Sequence, residues 1–247
     1  MTRILLLGGT SEASAMARLL AEAGIEAQFS YAGRTAAPVA QPLPTRIGGF
    51  GGVEGLARHL RQGGFTHLID ATHPFAAQIS TNAVRAADMA GVPLLVLQRP
   101  AWQAAAGDDW THVTDIAQAA QALPPDRTHV FLAIGKQNLS AFAGLPHRFL
   151  LRLVDRPDSL PLPDARVVIA RGPFDVADDT RLMRDHAITH LVAKNAGGSG
   201  AEAKLTAARD LGLRVIMIDR PAMPERHVVA QPELAMAWLH QKAPRGV

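Results

Sequence analysis

Short apolar runs recur along the chain, and each is followed by a stretch with helical spacing of its apolar residues. This pattern predicts strands near 3–8, 26–31, 66–71, 93–98, 129–134, 148–153, 166–170, 189–194 and 214–218. It predicts helices near 11–23, 53–62, 75–90, 115–123, 137–143, 175–186, 200–211 and 232–242. The strand runs are apolar at consecutive positions rather than alternate ones. Such strands are buried on both faces, which points to parallel sheets covered by helices. Right-handed crossovers then gather the strand-to-helix loops at one edge of each sheet, the carboxyl edge, where ligands bind in this class.

The same half occurs twice. Phe65-Thr66-His67-Leu68-Ile69-Asp70-Ala71 matches Ile188-Thr189-His190-Leu191-Val192-Ala193-Lys194. Each run leads through an Ala-rich helix to a glycine, Gly91 or Gly212, and then to a second apolar run. Both of those runs end in Arg-Pro-Ala, at Arg99-Pro100-Ala101 and at Arg220-Pro221-Ala222. Upstream, Ile4-Leu5-Leu6-Leu7-Gly8 answers Val130-Phe131-Leu132-Ala133-Ile134-Gly135. The offset runs from 121 (Gly91 to Gly212) to 127 (Gly8 to Gly135). The expected fold is α/β, with two similar Rossmann-like parallel-sheet domains facing each other across a cleft. The break is expected at Pro124-Pro125, giving domains 1–124 and 125–247, with a weaker break near 104–109. The Pro/Gly-rich stretch 38–52 reads as a mobile loop, either a plain connection or a flap over a ligand.

Composition narrows the chemistry. The 247 residues are 48% hydrophobic, enough for two cores. No run of roughly 18 apolar residues is present to span a membrane. The apolar run Ile4–Leu7 is too short for a leader and stops at Gly8-Gly9. There are 0 cysteines, which excludes disulfides, thiolate catalysis and Cys-ligated metals and fits a cytoplasmic setting. A net charge of +3 without a basic stripe, and a single Tyr, give no nucleic-acid signature. Isolated arginines near strand ends point instead to a small polyanion.

The loops at the expected carboxyl edges carry the candidate chemistry. Gly8-Gly9-Thr10-Ser11-Glu12 joins the first strand to the first helix, where a close backbone approach and free helix N–H groups can hold a phosphate. Residues Ser30, Ala32, Gly33, Arg34 and Thr35 follow the second strand. A NAD-preferring site has an acid there; this chain has none, and Ser30, Arg34 and Thr35 can take the 2′-phosphate of NADPH. Asp70, Thr72 and His73 end the third strand, with Thr72 or His73 expected to cap the helix that Pro74 opens. In the second half, Gly135-Lys136 and Lys194-Asn195-Ala196-Gly197-Gly198-Ser199 occupy the equivalent loops, with Arg99, Arg171 and Arg220 as further cations. Plain readings stand beside these: a tight turn at Gly8-Gly9, solvated side chains at Arg34 and Lys136, a structural His73.

Several classes are disfavoured. The Tyr-x-x-x-Lys pair of short-chain dehydrogenases is absent, since Tyr31 is followed by Thr35. There is no Gly-x-Ser-x-Gly elbow. Gly135-Lys136 is not a phosphate-binding P-loop, because Val130 and Gln137 stand at its first-glycine and Ser/Thr positions. His186 and His190 straddle an expected helix end and strand start, so no metal site is expected.

Taken together, Gly8-Gly9-Thr10-Ser11-Glu12-Ala13, Asp70-Ala71-Thr72-His73-Pro74-Phe75-Ala76, Gly135-Lys136, Lys194-Asn195-Ala196-Gly197-Gly198, Lys204, Ala207-Ala208 and Arg220-Pro221 resemble the precorrin-6A reductase family of the cobalamin pathway, over essentially the whole chain. Asn195-Ala196-Gly197 departs from the Ser or Thr expected beside that glycine. The resemblance implies NADPH-dependent reduction of one carbon–carbon double bond of precorrin-6A to give precorrin-6B. It implies a polycarboxylate tetrapyrrole substrate, with neighbouring pathway enzymes as possible partners. It implies a first half that binds the cofactor and a second that completes the substrate site. His73 and Lys136 are the candidates for substrate orientation or proton delivery. Two alternatives remain open: a reductase acting on cobalt-precorrin-6A, and a non-enzymatic two-lobed binding protein for an anionic metabolite. A two-domain glycosyltransferase is disfavoured by the small size of each half.

Overall fold

The computed structural model describes residues 1–33 and 38–242. In chain order the elements are β1 (Arg3–Leu7), α1 (Ser11–Glu22), β2 (Glu26–Tyr31), β3 (Thr45–Ile47), α2 (Gly52–Gln62), β4 (His67–Asp70), α3 (Ala77–Ala90), β5 (Leu94–Leu97), β6 (Asp109–Val113) and α4 (Ile116–Gln121). The second series is β7 (His129–Ala133), a 3-10 helix (Lys136–Phe142), β8 (Arg148–Leu153), β9 (Ala165–Ile169), α5 (Val176–Asp185), β10 (His190–Lys194), a 3-10 turn (Ser199–Ala201), α6 (Ala203–Asp210), β11 (Arg214–Ile218), β12 (Val228–Val229) and α7 (Pro232–Lys242). Among the described residues no helix is long and apolar enough to cross a membrane.

The strands form two six-stranded sheets, ordered β12-β5-β4-β1-β2-β3 and β6-β11-β10-β7-β8-β9. Every pairing is parallel. The two-domain parallel α/β expectation is therefore met.

The boundary is not where the sequence put it. One compact unit comprises Met1–Pro100 and Ala222–Val247, the other Ala101–Pro221. The expected break at 124/125 is the end of the sequence repeat, but each repeat gives its final strand and helix to the other sheet. After β5 the chain leaves at Pro100, and β6 pairs with β11, Asp109 opposite Arg214. After β11 it returns at Pro221, and β12 pairs with β5, Val228 opposite Val96. Both departures occur within the repeated Arg-Pro-Ala. Proline there removes a donor and fixes φ, so the chain turns away from its strand.

The cores follow from the pleat. In β1, Ile4 and Leu6 pack with Met16, Ala17 and Leu20 of α1 and with Ala235, Trp238 and Leu239 of α7. Leu5 and Leu7 face the other way, onto Leu56, Ala57 and Leu60 of α2 and Ala83, Ala86 and Ala87 of α3. The helical spacing 13, 16, 17, 20 puts one stripe of α1 on the sheet. In the second unit Phe131, Leu191, Val215 and Met217 pack with Met183 of α5 and Leu205 and Ala208 of α6.

Three strands have no counterpart in the sequence reading: β3, β6 and β12. All are edge strands. β3 lies inside the stretch 38–52 expected as loop and pairs with β2 through Ser30 and Arg46. The 3-10 helix at Lys136–Phe142 replaces an expected α-helix, and the helix expected over 200–211 is split at Glu202.

The segment entering the second unit is fastened to α6 by one ion pair. Arg209 donates from Nε to Asp108 Oδ1 at 3.0 Å and from Nη2 to Oδ2 at 2.9 Å. Ala105 N–H adds a third bond to Oδ2, at 2.7 Å. Burial raises the Asp108 pKa, but the Arg209 hydrogen bond, the Ala105 N–H and the Arg209 charge outweigh it, so the group lies below its usual 3.8. A lowered carboxyl pKa stabilises the fold above the unfolded value and loses that contribution as pH falls through the folded one. Asp108→Asn should therefore cost about 1–3 kcal/mol at pH 7, and its difference from wild type should shrink as pH falls below 3.8. Denaturant melts of both proteins from pH 7 to 3 check this; a pH-independent difference would rule out the ion pair as its source.

Candidate functional site

Parallel pairing places the ends of β1, β2, β3, β4 and β5 on one edge of the first sheet. At the end of β1, Gly8 N–H donates to Ser30 O at 2.9 Å. A Cβ on Gly8 would lie 2.0 Å from the Phe29 ring, so this glycine is demanded by packing beneath the loop. Gly9 differs: its φ is +131°, it is exposed, and nothing lies within 4 Å of where a Cβ would stand. Thr10 is the N-cap of α1. Its Oγ1 accepts from Ala13 N–H at 3.1 Å and donates to Ala71 O at 2.8 Å, tying the loop to the end of β4. Ser11 and Glu12 open the helix, where backbone N–H groups have no acceptor one turn back. The Ser11 hydroxyl donates to Glu12 Oε2. Glu12 also holds Arg99 Nη1 at 2.7 Å, both side chains being mostly buried. Arg99, expected as a substrate cation, thus neutralises a carboxylate at the start of α1.

Ser30, at the end of β2, is buried. Ala32 and Gly33 follow, exposed, with Gly33 at φ +75°. Arg34 and Thr35 lie outside the described residues. The neighbouring strand adds a cation that sequence reading missed. Arg46 donates to the carbonyls of Gly48 and Gly49, stands 3.5 Å from Ser30 Oγ, and lies over the Phe50 ring at 4.0 Å.

At the end of β4, Asp70 is 2% exposed. Its Oδ1 accepts from Thr72 N–H at 3.0 Å and Thr72 hydroxyl at 2.7 Å, while Oδ2 is buried with no hydrogen-bond partner. Neither Thr72 nor His73 caps a helix. α3 begins at Ala77 behind an uncapped Ala76, because the Thr72 hydroxyl is turned to Asp70 and Ser80. His73 Nδ1 accepts Phe75 N–H at 3.2 Å. In the neutral ring the proton therefore sits on Nε2.

The second sheet has its own carboxyl edge. Gly135, at φ +78°, follows β7, and Lys136 is exposed at the start of the 3-10 helix. Arg171 is exposed after β9, and Lys194 ends β10. Gly197 (φ +69°) and Gly198 (φ +75°) reverse the chain before exposed Ser199. Asn195 is buried and committed. Its Oδ1 accepts Trp102 N–H at 2.8 Å and its Nδ2 donates to Trp102 O at 3.0 Å. Arg220 donates from Nε to Asn195 O at 2.9 Å and from Nη2 to Ala196 O at 3.1 Å. Trp102 Nε1 donates to Gly198 O at 3.0 Å, and Lys204 Nζ stands 4.6 Å from the centroid of its ring. Trp102 follows the first departure and Arg220 precedes the second, so the Asn195–Gly198 loop is held by both.

The expected site residues therefore divide. Gly9, the first turn of α1, Ser30, Asp70 and His73 gather at one carboxyl edge. Lys136, Arg171, Lys194, Gly197, Gly198 and Ser199 gather at the other. Thr10, Glu12, Thr72, Arg99, Asn195 and Arg220 hold the loops in shape. Among the described residues no cluster of His, Asp and Glu suits a metal ion. Arg46 and Trp102 were not singled out from sequence, and Lys204 entered only through the family resemblance; the run Gly48-Gly49-Phe50-Gly51-Gly52 was the one visible signal beside Arg46.

The family model described as precorrin-6x reductase CbiJ/CobK matches residues 3–240. A precorrin-6A reductase of Rhodobacter capsulatus is 63% identical, covering 100% of each chain. A cobalt-precorrin-6A reductase of Priestia megaterium is 32% identical over 88% of this chain and 90% of that one. A solved structure of CobK precorrin-6A reductase superposes with a TM-score of 0.94 at 63% identity, over 100% of both chains.

Asn195→Ala should leave the buried Trp102 N–H and C=O unpaired and cost about 2–4 kcal/mol of stability. Asn195→Asp keeps the acceptor but sets a carboxylate against Trp102 O, and should cost at least as much. Equal unfolding midpoints for all three proteins would show that the bidentate clamp contributes nothing.

Proposed function

The chain belongs to the precorrin-6x reductase CbiJ/CobK family, and from that premise we propose that it reduces one carbon–carbon double bond of precorrin-6A, with NADPH as the reductant, to give precorrin-6B in cobalamin biosynthesis. It is an oxidoreductase, which sets aside the binding-protein alternative. Higher identity to the precorrin-6A reductases than to the cobalt-precorrin-6A reductases favours the metal-free substrate.

The observation that carries the cofactor reading is the Gly9 position. It combines left-handed backbone, open space and the N-terminal turn of a helix at the carboxyl edge, and it fits a pyrophosphate. The end of β2 offers no acid to a ribose 2′-hydroxyl, which fits a phosphorylated ribose. The unfilled Asp70 Oδ2 is an acceptor for a donor on a bound molecule.

NADPH, when bound, supplies the hydride and leaves as NADP⁺. The protein's own part is to bind, orient and exclude water. In this reading the first unit holds the cofactor. Lys136, Arg171 and Lys194 on the second take carboxylates of the tetrapyrrole. The adjacent carbon needs a proton, for which the imidazolium form of His73, the Lys136 ammonium and solvent are the candidate donors.

Anaerobic incubation with NADPH and precorrin-6A, with and without cobalt, tests the reaction by the corrin absorption and NADPH consumption. Turnover of metal-free substrate is expected; NADPH oxidation with neither would overturn the reading. Gly9→Val should abolish NADPH binding while the far-ultraviolet circular dichroism stays unchanged. Unchanged affinity would move the pyrophosphate elsewhere. Lys136→Ala should raise the KM for precorrin-6A more than that for NADPH. A fall in kcat alone would place Lys136 nearer the proton-delivery step.

A further inference from the structure

We propose that Arg46 is the residue that selects the 2′-phosphate of NADPH over the 2′-hydroxyl of NADH. The inference rests on the cofactor reading above and adds the group that makes the choice.

Arg46 lies on β3 directly opposite Ser30 at the end of β2, in register across the parallel pair. In sheets of this kind the end of the second strand is where a ribose is read. Here β2 ends without an acid, and its neighbour supplies a guanidinium. The group is pre-arranged. Nη1 bonds Gly48 O and approaches Ser30 Oγ, Nη2 bonds Gly49 O, and the plane stacks on Phe50. A guanidinium has five N–H donors. Three are directed at those oxygens, which leaves two.

Its charge is also uncompensated. Arg46 takes part in none of the ion pairs found between described residues. It is nonetheless half-buried, so it loses water without gaining a carboxylate. Its field is felt nearby: burial first, then the charges of Arg46 and Arg3, hold the His59 pKa below its usual value. A partly desolvated cation that meets only neutral oxygens and an aromatic face has an outstanding preference for an anion. Planar guanidinium with two donors left matches a phosphate. Arg34, singled out from sequence for this role, lies outside the described residues. The two arginines make opposite predictions for single variants.

The probes are 2′,5′-ADP against 5′-AMP, and NADPH against NADH, titrated calorimetrically into wild type, Arg46→Ala, Arg46→Lys and Arg34→Ala. Wild type should prefer the 2′-phosphorylated member of each pair. Arg46→Ala should weaken 2′,5′-ADP and NADPH by roughly 10- to 100-fold, the range of a charge-assisted hydrogen bond, and change 5′-AMP and NADH less than about threefold. Arg46→Lys should recover part of the loss, because it restores charge without the planar fork. Equal losses for both members of a pair would make Arg46 a staple of the Gly48-Gly49 turn and overturn the inference. So would a preference that survives in Arg46→Ala and disappears in Arg34→Ala. Wild type binding neither NADPH nor 2′,5′-ADP would instead bring down the cofactor reading itself. Thermal melts of each variant separate lost binding from lost folding, and Arg46→Lys carries the test if Arg46→Ala does not fold.

Discussion

Parallel pairing of both sheets, out to the exchanged edge strands, is the constraint on which the rest of the molecule depends. Parallel neighbours cannot be joined by a tight turn, so each strand is followed by a crossover. All crossovers then leave from one edge, and the polar loops collect there. The exchange of β6 and β12 extends this order to the last strand of each sheet. β12 aligns with β5 and β6 with β11 without reversing direction. The apolar face of each sheet is then finished by a helix from the other repeat: α7 brings Trp238 and Leu239 onto Ile4 and Leu6.

A carboxyl edge built this way is crowded with polar groups, and most of them are occupied with one another. Glu12 would leave a negative charge beside the Gly8-Gly9 turn, yet Arg99 cancels it at 2.7 Å. Thr10 spends both capacities of its hydroxyl on the loop's own backbone. Asn195 is engaged through both its side-chain oxygen and its nitrogen by Trp102. What is left over is open space at Gly9, an Asp70 oxygen without a hydrogen-bond partner, an Arg46 that is in no ion pair among the described residues, and exposed Lys136.

The sequence showed the strands that are buried on both faces, because an unbroken apolar run such as Ile4-Leu5-Leu6-Leu7 has few other uses. It did not show Thr45-Arg46-Ile47 or Asp109-Trp110-Thr111-His112-Val113. Edge strands have a solvated side and carry polar residues, so their pattern resembles a loop. The repeat was legible residue by residue, but a repeat boundary and a unit boundary are different things. Nothing local to Arg-Pro-Ala says that the next strand joins the other sheet. The strand-end loops that carry the candidate residues were legible, and the contacts made within them were not. Glycines and cations at strand ends were correctly located on the carboxyl edges, whereas the partners of Arg99 and Asn195 come from 87 and 93 residues away along the chain. Only the fold brings them together.

The exchanged strands also set an order of assembly on the ribosome. Residues up to Pro100 emerge first, but the outer edge of β5 is paired only by β12: Val96 N–H with His227 O, and Gln98 N–H with Val229 O. Until the segment after Pro221 emerges, β5 is an open edge and the Ile4–Leu6 face lacks α7. The unit that starts the chain is thus completed last, after every strand of the other has been made. Closing so long a loop adds little entropy cost, because that cost grows only logarithmically with length. The burden falls on time instead: an unpaired edge and a bare apolar face must stay soluble for the whole synthesis of the second unit, the interval in which nascent chains are most prone to aggregate.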